Sequence, residues 1–145
     1  MRTKDFVSKL EHARIVAAIE RAELKSSGEI RVHIERGNIS GDPLALATKK
    51  FQETGMHKTR HRNAVLIFVA PRAQSFAIVG DEAVHQKCGD AYWRQITEAM
   101  RAHFLEERFT EALVEAIRDV GAVLAEHFPH RPDDTNELPD SVIES

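Results

Sequence analysis

The chain has 145 residues, 42% of them hydrophobic and 30% charged, which is the balance of one ordinary globular domain and excludes a disordered or membrane-embedded protein. A formal net charge of -3 leaves no concentrated positive field for a phosphate backbone, so nucleic acid is not an expected partner. The single cysteine, Cys88, excludes an internal disulfide and fits a reducing cytoplasm.

Met1 to Phe6 is polar, without the apolar stretch of a secretory signal. Ser8 and Glu11 have the spacing of a capping box, and Leu10, Ala13, Val16, Ala17 and Leu24 supply an apolar face for the helix that follows. Ser26, Ser27 and Gly28 end it. From Glu29 to Glu35 the residues alternate, with Ile30, Val32 and Ile34 on one face and Arg31 and His33 on the other, which predicts a half-buried strand. Asp42 and Pro43 then read as cap and first turn of a helix running to about Thr54, with Leu44, Ala47 and Phe51 inward and Gly55 as its stop.

After a basic loop from His57 to Arg62, the run Ala64 to Ala70 is apolar on both faces and β-branched, as a central strand requires. Extended to Pro71 it is still far short of the roughly 20 residues that cross a membrane, so no insertion is expected. Pro71 to Gln74 marks a turn, and Ser75 to Val79 predicts the second arm of a hairpin ending at Gly80. Tyr92, Trp93, Ile96, Met100 and Phe104 recur at helical spacing, as do Leu113, Ile117, Val120, Leu124 and Phe128 behind a Thr110 cap. Trp93 is thereby a core residue, and His103 and His127 suit the negative ends of their helices. Pro129 closes a single domain over 1–129, and 130–145 reads as a loosely held acidic tail with Asp133, Asp134, Glu137, Asp140 and Glu144.

This order defines an α/β domain. A strand, a crossover helix and a second strand make a parallel pair, and the hairpin partner runs antiparallel. The start of the first strand (Glu29), the start of the second (Arg62, Asn63) and the end of the third (Asp81, Glu82) should therefore meet at one end of the sheet. Asp90 joins them if the intervening segment doubles back. Carboxylates and carbonyls at such an edge suit a hard divalent cation with oxygen ligands, such as calcium or magnesium. The nearby Lys58, Arg60 and Arg62 are placed to hold an anion, such as a phosphorylated small molecule or protein.

The stretches 27–33 (SGEIRVH), 55–68 (GMHKTRHRNAVLIF), 76–82 (FAIVGDE) and 136–140 (NELPD) resemble the small, stand-alone branch of the TPM domain family. The similarity covers nearly the whole chain and rests on the order and spacing of these stretches. It implies an α/β/α sandwich around a small mixed sheet of three to four strands, with divalent ions, often calcium, held by acidic loops. It also implies acid-phosphatase activity of the kind attributed to some plant members, which work at chloroplast membranes. No anchor of that sort is expected from these residues, which have only Asp5 where exported members carry an acidic entry segment. Carried over by motif are Glu29, Asn63, Asp81, Glu82 and Asp90. Two functions follow: a metal-binding domain with phosphatase activity, or a non-catalytic module that metal orders for a protein partner.

Other motifs carry less. Cys88 and Arg94 have the C-x5-R spacing of cysteine-dependent phosphatases, but Asp90 would repel phosphate and no strand precedes the cysteine. His57 with His61, and His85 with Cys88, leave a zinc ligand set incomplete. The sequence contains no P-loop, dinucleotide fingerprint or EF-hand loop.

Overall fold

The computed structural model describes residues 2–130 and 142–144. Two helices, α1 (Thr3–Ser8) and α2 (His12–Leu24), lead into strand β1 (Glu29–Ile34). Helix α3 (Pro43–Glu53) crosses to β2 (Ala64–Ala70), which turns into β3 (Ser75–Gly80). Helices α4 (Glu82–Leu105) and α5 (Phe109–His127) follow, and β4 (Val142–Glu144) closes the described chain.

The sheet has the order β3-β2-β1-β4. β1 and β2 are parallel with Glu29 opposite Ala64, and β2 and β3 are antiparallel with Val65 opposite Gly80, as a crossover followed by a hairpin dictates. β4 lies parallel to β1, with Val142 opposite Val32. The predicted tail thus contributes a strand at its far end, while 131–141 lie outside the described residues.

Alternation along β2 builds both sides of the domain. Val65, Ile67 and Val69 enter the large core shared with Ile15, Ile19 and the apolar stripes of α4 and α5. Leu66 and Phe68 face the other way, where Phe51, Met56 and Ala47 of α3 and its following turn cover them in two small clusters. The result is an α/β/α sandwich with α1, α2, α4 and α5 on one side and α3 on the other.

Several local expectations change. Glu11, not Ser8, flanks the start of α2, and no side chain caps it. Ser8 instead ends α1 and donates to the carbonyl of Asp5 at 2.8 Å. Thr110 lies inside α5 and accepts from the Glu11 N–H at 3.1 Å, tying the start of α2 to the start of α5. The buried ridge of α2 is Ile15 and Ile19, four residues apart, whereas Ala13 and Leu24 are exposed. Leu44 is also exposed. β1 is buried on both faces, including Glu29, Arg31 and His33, because α3 must bury Ala47 and Phe51 on that side.

Candidate functional site

The amino end of β2 is stitched to the carboxyl end of β3 by main-chain bonds. Asp81 N–H donates to the Ala64 carbonyl at 2.9 Å, and Ala83 N–H to the Arg62 carbonyl at 3.2 Å. Asn63 is buried and donates through Nδ2 to Ser27 Oγ at 3.0 Å, which leaves its side-chain carbonyl for another partner. Gly28 sits where a Cβ would come within 2.9 Å of the Leu124 methyls and 3.1 Å of the Asn63 carbonyl, so the close approach of these segments needs glycine. Glu29, Arg62, Asn63, Asp81 and Glu82 therefore gather at one end of the sheet.

The dominant contact there is an ion pair. Arg62 Nε and Nη2 donate to the two carboxylate oxygens of Asp81 at 2.8 and 2.9 Å. Asp81 is buried and caps α4, accepting from the Glu82 N–H at 2.8 Å. The same hydrogen bonds push the Arg62 guanidinium further up from its ordinary pKa. Arg62 reaches this position from a left-handed backbone, φ 52, and its Nη1 also lies 3.7 Å from the exposed Glu82 carboxylate. Arg60 is exposed, with Nε donating to His61 Nε2 at 3.3 Å. His57 and Thr59, in the same loop, each keep one buried polar atom without a hydrogen-bond partner among the described residues.

Asp90 is placed elsewhere. It follows Gly89, whose φ 76 and ψ 170 break α4, and lies in a groove beside β3 with Asp42, its carboxylate 3.8 Å from His85 Nδ1. Cys88 precedes the break, inside a helix, and burial pushes its thiol pKa up, the reverse of what a nucleophilic thiolate needs.

A row of charge beneath α3 joins Glu29 of the sequence-based site to two residues outside it, Arg31 and His33. Glu29, Arg31 and His33 alternate along one buried face of β1. His33 stacks on Phe68 with ring centroids 5.6 Å apart, and its Nε2 lies 3.4 Å from the Glu35 carboxylate. Desolvation lowers the pKa of both Arg31 and His33, opposed by Glu29 and Glu35 respectively. The available signal was the helix from Pro43 itself, whose apolar stripe has to land on that face.

This three-layer fold with a charged, interlocked sheet end defines the class. Residues 1–123 match the TPM domain model, and the chain belongs to the TPM domain family. The chain is similar to the BA42 protein of the psychrophilic bacterium Bizionia argentinensis, at 36% identity over 93% of this chain and 92% of that one, with a TM-score of 0.84. It shares its fold with the N-terminal domain of a protein from P. gingivalis, at 21% identity, TM-score 0.63, and 79% and 76% coverage of the two chains. The N-terminal domain of the cg2496 protein from Corynebacterium glutamicum has the same fold, at 17% identity, TM-score 0.58, and 92% and 77% coverage. No curated protein matches the chain. Among the described residues, no helix is long and apolar enough to cross a membrane.

Proposed function

We propose that the chain is a cation-responsive binding module, in which a divalent ion, calcium in preference to magnesium, takes Asp81 from Arg62 at the amino ends of β1 and β2. The observation that carries this reading is the two-pronged Arg62–Asp81 pair: a buried, helix-capping carboxylate neutralised by a half-exposed loop arginine. Glu29, Asn63 and Glu82, at the same end of the sheet, would supply further oxygen atoms of the hard kind that calcium accepts in flexible geometry.

As they stand, these residues do not fit a metal. Both Asp81 oxygens are engaged, and no group of three His, Cys, Asp or Glu side chains among the described residues is arranged to hold an ion. The cation therefore has to compete with the guanidinium. Exchange of one for the other would free Arg62 and reshape the loop from His57 to Arg62, which is how a metal would order or release a surface for a protein partner. The single cysteine supports the cytoplasm as the compartment.

Phosphate-ester hydrolysis is the second reading, supported by the family resemblance and by Arg60 and Arg62 as anion-binding side chains. Metal-dependent release of phosphate from para-nitrophenyl phosphate that is lost in Asp81→Asn would favour it over the module.

Competition has a distinctive sign. Arg62→Ala removes the rival and should tighten calcium binding about tenfold, while Asp81→Asn should abolish it, both read by titration calorimetry. Equal calcium affinity in Arg62→Ala and the unaltered chain would remove the competition.

A further inference from the structure

The sheet is finished on one side by β4, but along the other side of β3 no strand pairs among the described residues. Because Asp81 N–H bonds to Ala64 and Val65 faces Gly80, the antiparallel alternation turns the main-chain groups of Ser75, Ala77 and Val79 toward β2. Those of Phe76, Ile78 and Gly80 consequently point outward. Natural sheet edges are usually blunted by charge, proline or a bulge. The sequence of β3, SFAIVG, has no charge and no proline, and its register with β2 runs without a bulge.

This edge forms the floor of a groove of about 270 Å³ between the start of α3 and the part of α4 beyond Gly89. Leu44, 40% exposed, stands on one wall and Trp93 on the other. Trp93 is 4% exposed, and its indole N–H is buried without a hydrogen-bond partner among the described residues. The groove is thus apolar in its walls and rich in unused main-chain and indole polarity. Its volume falls below the roughly 300–1,000 Å³ of typical small-molecule pockets. Its charged rim has two carboxylates, Asp42 and Asp90, against one guanidinium, Arg94.

We propose that this groove takes an extended, basic peptide segment of a partner protein, which pairs with Phe76 and Ile78 as a fifth strand. Main-chain pairing satisfies the outward N–H and C=O groups, and alternate side chains of the peptide meet the apolar walls. A lysine or arginine of the peptide answers Asp42 and Asp90. A second copy of the chain fits less well, because its own β3 is set between the same two helices and is barred from edge-to-edge approach.

The probe is a blocked heptapeptide of alternating valine and lysine, titrated into the isotopically labelled full chain and followed by amide NMR. Expected are saturable shifts at Phe76, Ile78 and the Trp93 indole, with slowed hydrogen exchange at the Phe76 and Ile78 amides. Phe76→Pro deletes an outward donor without touching the ladder to β2, whereas Phe76→Ala loses the same ring and keeps the donor. Binding about tenfold weaker in the proline variant than in the alanine variant is the predicted difference. Backbone N-methylation of the peptide at alternate residues should abolish binding, a test that does not depend on either variant folding. A valine–glutamate peptide should bind about tenfold more weakly than the lysine one. The proposal is overturned by absence of saturation at those amides at millimolar peptide, by unimpaired binding of the N-methylated peptide, or by the same shifts arising from self-association without peptide.

Discussion

His33 is buried in the middle of the sheet against Phe68, with Arg31 and Lys50 adding to the cost of protonating it and Glu35 offsetting part of that cost. Its folded pKa is therefore depressed. Above the unfolded value of about 6.5 the ring is neutral in both states; as pH falls below it, the unfolded chain takes up a proton that the folded chain refuses. Stability contributed by the neutral ring is present above about pH 6.5 and declines as pH drops toward the folded pKa. Thermal melts from pH 8 to pH 5 should accordingly show a falling midpoint, with a shallower fall in His33→Gln. An identical slope in that variant would assign the pH dependence to other groups. Gly28 makes a second point at this scale. Its alanine variant must push a Cβ against the buried Leu124 and the Asn63 carbonyl, and should lose about 1–3 kcal/mol in denaturant unfolding.

Helix α4 depends on a break. Gly89 holds a backbone conformation essentially reserved for glycine, and the break turns the rest of α4 back along β3, bringing Trp93 against Gly80 and Asp90 to the groove. Gly89→Ala should cost about 1–3 kcal/mol and disturb the amide signals of Trp93 and Phe76 before those of α5. Elements with strong periodicity or punctuation were legible in the sequence: β2 by its unbroken apolar run, α3 by Asp42, Pro43 and Gly55, and the hairpin by Pro71 to Gln74. What was not legible depended on tertiary partners. In α2, Ile15 to Ile19 is five apolar residues in a row, so composition does not fix the phase, and packing on α5 selects the isoleucines. Ser8 and Glu11 have capping-box spacing, yet Thr110 from a distant helix satisfies the Glu11 N–H. Gly89 is the one local hint that α4 is broken, and the break sets Asp90 in the groove beside β3.

For the whole molecule, part of the candidate site is legible from topology alone. A parallel pair followed by a hairpin forces Glu29, Asn63 and Asp81 together whatever their side chains do, so their convergence is a property of topology. The partner of each side chain is not. No pattern in the sequence says that Arg62 would turn onto Asp81 with both prongs rather than out to solvent, and that pair decides how the site meets a cation. The two candidate surfaces use different residues: the Arg62–Asp81 pair lies where β3 finishes, and the peptide groove runs along its outer edge at Phe76 and Ile78. Failure of one therefore leaves the other standing.

The central claim, exchange of Arg62 for a divalent ion on Asp81, is tested most directly by calcium titration of the metal-stripped, isotopically labelled chain, with the Arg62 Nε–H signal followed alongside the amides. Saturable shifts at Glu29, Asn63, Asp81 and Glu82, accompanied by loss of the hydrogen-bonded Arg62 Nε–H signal, are predicted. Absence of saturation at millimolar calcium, already the weak end of calcium-binding modules, or saturation with the Arg62 signal unchanged, would contradict the exchange.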